Sequence, residues 1–420
     1  MEGISGIALR ACGLLAASTL IVLGLESCGP HDQLPFPDYA PKATSQVPAT
    51  GSNAYQDYAL AAADFDKRFG ARADKLTAKP TYSEPERIGL QKQTREEIQR
   101  LHSAVLKTCT MPVDGSVSKD ALKGRAEWRV LGEVLRWNIQ DACQNENYSE
   151  AVRNAVIATK FGFDLTGGSP SDASLGFAIV DETRRTIAPF LTKLNPVQLS
   201  KLSGETKKIF LNRPQTDVLM QRVAEDMLQH VQEVQNAYRD RQYDQLAREL
   251  GDDAKEPIEY LRDLHDQSDK KRYQFFETFA TEAKVVGSRL VANSRLPLAE
   301  RTPLEPVKSI ESQPWKRFAI RFFHDGDPLL AMNDATEART QMLILECQIQ
   351  ISLKTEEHTP RDLAKFTKRL TVDPYSGELL VYHTDGRDYK LYSVGQNLKD
   401  DAGGPDGRLP LPDVALEVAS

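Results

Sequence analysis

The chain has 420 residues, 40% of them apolar and 27% charged, with a net charge of −7. An acidic balance of 53 Lys and Arg against 60 Asp and Glu argues against a nucleic-acid binder, which needs a basic face. Five cysteines in this length exclude a disulfide scaffold, and the composition excludes a collagen-like chain.

The N-terminus opens with one basic residue, Arg10, followed by the uncharged run Ala11–Leu25. That order reads as a secretory signal or a single-pass anchor, with the bulk of the chain outside the cytoplasm. Leu25-Glu26-Ser27-Cys28 resembles a bacterial lipobox, which implies a lipid on Cys28. Glu26 departs from the small or apolar residue usual there. Lipidation, an uncleaved anchor and full release all stay open. Residues 1–28 are therefore the leader or anchor. Residues 29–52, with five prolines, read as a linker that holds the folded part off the membrane.

From 53 to 296 the pattern is helical, and the expected fold class is mainly α: a helical-hairpin array or bundle. Tyr55, Tyr58, Ala62, Phe65 and Phe69 form one stripe. Ser83-Glu84-Pro85-Glu86 is a capping-box start for a helix running through Ile88, Ile98, Leu101 and Val105. Further helices are expected over Asp120–Cys143, over Ala151–Leu165 capped by Ser149, and from Ser171 to Phe190. A short one runs from Asn195 to Gly204. Two long helices, Thr216–Leu250 and Pro257–Asn293, follow. Residues 297–333 are a Pro-rich connector that carries the aromatic-basic stretch Trp315–Phe323. Residues 334–399 comprise a buried helix, Asp334–Leu353, and a β-hairpin about Thr384-Asp385-Gly386-Arg387. Residues 400–420 read as a loose acidic tail rich in Gly and Pro.

Enzyme signatures are missing. There is no His-Glu-x-x-His, Glu-x-x-His, Gly-x-Ser-x-Gly, P-loop or dinucleotide fingerprint. Ser116–Lys119 and Ser268–Lys271 match Ser-x-x-Lys but lack the partner motifs of the β-lactamase type. Asp226, His230 and Glu233 share a helix face that reads as surface pairing, with a metal site as the alternative. His324-Asp325-Gly326-Asp327 is an acidic turn. Lys270-Lys271-Arg272 beside Tyr273, Phe275 and Phe276 reads as one solvated face over one buried face. Cys109 and Cys143 are expected to stay unbonded, at opposite ends of a helix pair, and Cys347 to be a buried hydrophobe.

Two local resemblances add expectations. Trp128, Leu131 and Gly132, then Tyr148, Ala151 and Ala158, look like parts of a tetratricopeptide repeat, implying close helix packing at the small residues. The two halves are too far apart for one standard unit, and no second copy follows. Asp373-Pro374-Tyr375-Ser376-Gly377, Leu380-Val381-Tyr382, Tyr389–Gly395 and Asp400–Gly404 resemble the C-terminal β segment of type II secretion major pseudopilins. The same string is similar to the tail of exported bacterial helical proteins. Read from its residues alone, the string lets Tyr382 and Tyr392 face the preceding helix. It also implies a calcium-binding acidic loop, with Asp400, Asp401 and Asp406 as the matching positions for Ca²⁺. The leader lacks the pilin order, so the chain is not a pilin subunit.

The function these features point to is non-enzymatic: an envelope-anchored interaction or scaffold protein, bound to membrane by its N-terminus and to a protein partner. The alternatives are an accessory of a secretion or pseudopilus system with a calcium-binding tail, and an exported hydrolase using His324.

Overall fold

The computed structural model describes residues 37–39, 53–112, 119–250, 255–303, 326–402 and 414–415. These residues are mainly helical, with a small antiparallel sheet at the C-terminal end. The apolar run Ala11–Leu25, Cys28, Trp315–Phe323, His324, Asp325 and Asp406 lie outside them. No helix among the described residues is long and apolar enough to cross a membrane.

Helix α1 (Ala54–Phe69) is capped by Asn53, whose side chain accepts from the Tyr55 amide. The same carboxamide exchanges hydrogen bonds with Thr110, donating at 2.8 Å and accepting at 3.0 Å. The expected stripe is real: Tyr58, Ala62, Phe65 and Phe69 are buried. After the short α2 (Ala73–Thr77), α3 (Glu84–Gln93) starts at the expected capping box. There Glu86 accepts from the Ser83 amide at 3.0 Å and from its hydroxyl at 2.9 Å. The helix expected to continue through Val105 instead breaks at Thr94, whose hydroxyl bonds the Leu90 carbonyl at 2.8 Å. The break swings Ile88 outward and lets α4 (Arg95–Ala104) bury Ile98 and Leu101.

Helices α5 (Lys119–Gln144), α6 (Tyr148–Leu165), α7 (Pro170–Ile187) and α8 (Pro196–Leu211) complete the body. Three termini differ from the sequence reading. Asn147, not Ser149, precedes α6. Ser169, not Ser171, caps α7 in a reciprocal box with Asp172. Gly204 lies inside α8, which continues to Leu211 because Thr206, Ile209 and Phe210 are buried beyond it. The close packing implied by the small residues is present. A Cβ on Gly132 would sit 2.9 Å from Ile179 Cγ1. Still tighter, α6 and α7 touch backbone to backbone: a Cβ on Gly176 would sit 2.3 Å from the Gly162 carbonyl oxygen.

The two long helices expected next are each interrupted. Helix α9 (Thr216–Arg239) turns at Arg241, with φ of 55°, into α10 (Tyr243–Leu250). Helix α11 (Lys255–Leu264) turns at His265–Ser268 into α12 (Asp269–Asn293). Folding back pays off in burial: Tyr243, Leu246, Ile258 and Leu261 cover Tyr238 and Phe276, forming a second core distinct from that of the body. The His265 ring stacks on Tyr238, with centroids 4.2 Å apart. Together α9 and α12 form an arm, joined where Gly287 meets Ala224.

Helix α13 (Gly326–Glu356) starts earlier than expected and serves both cores. Leu329 and Leu330 belong to the arm's core, whereas Met342, Ile344, Cys347 and Ile349 belong to the body's. Arg301 donates to both carboxylate oxygens of Asp334 at 2.6 and 2.8 Å, a pair almost fully buried. After α14 (Lys368–Thr371), strands β1 (Val381–Thr384) and β2 (Tyr389–Ser393) form the expected hairpin, and β3 (Val414–Ala415) pairs with β2. Cys109, Cys143 and Cys347 are free, as expected.

Candidate functional site

Two buried carboxyl groups organise the tail, one within it and one against the body. Asp373 is fully buried. Its Oδ1 accepts from the Tyr375 amide at 2.9 Å and the Ser393 hydroxyl at 2.9 Å, and its Oδ2 accepts from the Val394 amide at 3.0 Å. One side chain thus ties the Asp-Pro turn to the end of β2. The Gly395 amide in turn donates to the Ser393 hydroxyl at 3.1 Å, so Asp373, Ser393 and Gly395 form one connected set. The segment after α12 is laced to the same turn: the Leu298 and Ala299 amides donate to the Pro374 and Tyr375 carbonyls at 3.1 and 2.8 Å.

The second carboxyl is Glu346, buried in the middle of α13. The Tyr389 hydroxyl donates to it and accepts from Gln350 Nε2 at 2.9 Å. Burial pushes the Glu346 carboxyl up to about 7, against the opposing pull of the Tyr389 hydroxyl. Burial, and then the Glu346 charge, raise the Tyr389 phenol in turn. A carboxyl sealed away from water favours the neutral acid, here in spite of the phenol's hydrogen bond.

The register decides which tyrosines face α13. Tyr382 pairs with Leu391 and Thr384 with Tyr389, so these share one face, the face that meets Glu346. Tyr392 pairs with Val381 and lies on the other face. The expectation that Tyr382 and Tyr392 both face the helix is therefore corrected: strand alternation puts Tyr389 there, and Tyr392 donates instead to Asp400 Oδ1 at 2.8 Å.

That bond bears on the acidic loop. Asp400 Oδ1 also accepts the Ala402 amide at 2.9 Å, and these donors hold the Asp400 carboxyl below its usual range. Asp401 Oδ2 accepts from Asn397 at 2.6 Å. Among the described residues no group of three His, Cys, Asp or Glu is placed to hold a metal ion.

The Asp226, His230 and Glu233 face is split. His230 is buried, edge-on to Phe279, with Glu233 3.7 Å from Nδ1. Desolvation, then Glu233 and Glu225, push Asp226 up to about 7. Water nevertheless reaches Asp226, and screening softens this shift relative to that of sealed Glu346. In the basic-aromatic stretch, Phe275 and Phe276 are buried and Lys270 and Lys271 exposed, the solvated-over-buried split expected.

A third contact lies on the arm. The Tyr39 amide, in the Pro-rich linker, donates to Gln232 Oε1 at 2.8 Å, and the Tyr39 ring packs against the arm's core. Burial, then Tyr273 and Glu277, push its phenol up to about 12.

No family model, curated protein or solved structure matches the chain.

Sequence reasoning missed Glu346, the role of Tyr389 and the docking of Tyr39. Glu346 had a signal: it is the one charged residue in the apolar stretch Met342–Ile349. Tyr39 had none, because its partner is 193 residues away.

Proposed function

We propose that the protein is a non-enzymatic helical scaffold, held at a membrane by its N-terminus and presenting its body and arm to a protein partner on the extracytoplasmic side. The observation that carries this reading is the course of the linker. It is fixed to the arm at Tyr39 and to the body at Asn53, so whatever holds residues 1–28 also holds the whole helical structure. The buried carboxyls support the same reading. Asp373 is spent on ties within the tail and Glu346 on joining the tail to the body, a structural use of groups that an enzyme would aim at a substrate. The scaffold reading is preferred to the calcium-tail reading because the Asp400 and Asp401 oxygens named above already have local donors.

Detergent phase partitioning of the wild type, of Cys28→Ala and of a chain lacking residues 1–28 tests the tether. The truncated chain is expected in the aqueous phase and the wild type in the detergent phase. Cys28→Ala then separates a lipid anchor from a spanning one. A wild type that stays aqueous when freshly extracted refutes the reading.

A further inference from the structure

We propose that Tyr39 is a latch that clamps the N-terminal tether against the α9–α12 arm. The inference rests on the proposed membrane tether for its consequence, but not for the contact itself. A Pro-rich linker of Gly29–Ser52 composition has no core of its own and is expected to run through solvent. Tyr39 does otherwise. Its amide reaches Gln232 Oε1, and the Gln232 side-chain nitrogen donates to Asn236 Oδ1 at 3.0 Å, which fixes the carboxamide with its oxygen toward the linker. The Tyr39 ring packs on the core that α9 and α12 share, near enough to Tyr273 and Glu277 of α12 for their charges to raise its phenol. The receptor is therefore built from both arm helices. Tyrosine suits the role, since a large rigid ring loses little rotamer freedom on docking.

The latch divides the linker. Between Leu25 and Tyr39 the chain takes 14 steps, and between Leu25 and Asn53 it takes 28. At full extension these span roughly 50 and 95 Å. With the latch closed, the arm stays within the shorter distance of the membrane. With it open, the body can move out to the longer one. One neutral hydrogen bond and a half-buried ring make a weak closure, so the contact is reversible and can be displaced by a partner that takes the same site. The Tyr39 hydroxyl is buried without a partner among the described residues, which supplies a conservative variant: the latch needs the ring and not the oxygen.

The test uses full-length protein in lipid nanodiscs. Hydrogen exchange is read in α9 and α12 around Gln232 and Tyr273. Energy transfer is read from a dye at the exposed Val197→Cys to acceptor lipids. Tyr39→Ala is expected to speed exchange in these segments at least fivefold and to lower the transfer. Tyr39→Phe is expected to match the wild type, and Gln232→Ala to fall between. Melting curves confirm that each variant folds. Unchanged arm exchange in Tyr39→Ala overturns the latch, and so does a Tyr39→Phe variant that behaves like Tyr39→Ala. Faster exchange in Tyr39→Ala, with no transfer to lipid even in the wild type, leaves the latch standing and refutes the tether.

Discussion

Replacing Glu346 by Gln tests the tail seam most directly. Gln keeps the shape and an acceptor for the Tyr389 hydroxyl but removes the ionisable proton. Glu346 has its carboxyl raised from 4.5 to about 7 in the folded chain. The folded state therefore holds the proton more tightly than the unfolded one. The stabilisation this gives is complete below pH 4.5, is lost as pH rises through about 7, and stays lost above that. A span of roughly 2.5 pH units at ~1.4 kcal/mol each sets an upper bound of ~3–4 kcal/mol. Glu346→Gln should match the wild type near pH 4 and exceed it by ~2–3 kcal/mol at pH 8. Urea denaturation of both proteins at half-unit steps from pH 4 to 9 supplies the difference curve, in which every other titrating group cancels. Parallel curves across this range would refute the account of Glu346 as a sealed, neutral acid. A variant less stable at pH 8 would do the same.

Other contacts give sharper yes-or-no results. Gly176→Ala drives a methyl into the Gly162 carbonyl, a backbone atom that cannot swing away, and should cost ~2–4 kcal/mol in thermal melts. A loss under 0.5 kcal/mol would mean that α6 and α7 part easily. Arg301→Met strands Asp334 in the interior and should cost ~3–5 kcal/mol, while Arg301→Met with Asp334→Leu should recover most of it. If the double variant is as unstable as the single one, the pair is not the coupled unit the geometry shows. Asp373→Ala removes three hydrogen bonds at the hairpin's end, and amide exchange over Val381–Ser393 should accelerate far more than over α5. Equal acceleration would place Asp373 in the global fold instead. Millimolar calcium should leave the melting temperature unchanged, and a calcium-dependent rise abolished by Asp400→Ala would restore the acidic loop as a metal site.

What could be read from the sequence was what is local. The stripe through Tyr58, Phe65 and Phe69, the capping box at Ser83, the helix start at Asn195, and the hairpin at Asp385-Gly386 each depend on residues a few positions apart. The errors came where distant contacts outrank local signals. Gly204 looked like a stop, yet a helical glycine costs only about 1 kcal/mol, less than burying Ile209 and Phe210 returns. The α9–α10 and α11–α12 stretches looked continuous because their apolar spacing carries on across the turns. The turns exist because Tyr238 and Phe276 need a cover that only a folded-back chain provides. At the candidate sites, Asp373 was visible as a motif residue but not as a tie. The Tyr389 and Tyr392 roles were exchanged because pairing register, which sets the face, was not known.

The double membership of α13 has a consequence for the order of events in the cell. Neither core is complete without it: the arm lacks Leu329 and Leu330, and the body lacks the row from Met342 to Ile349. A ribosome releases this helix only after helices α1 to α12 have been made. Until then, helices α1 to α12 can form hairpins but cannot seal either interior. A nascent chain that stays open so late exposes apolar helix faces that a holding chaperone would have to cover.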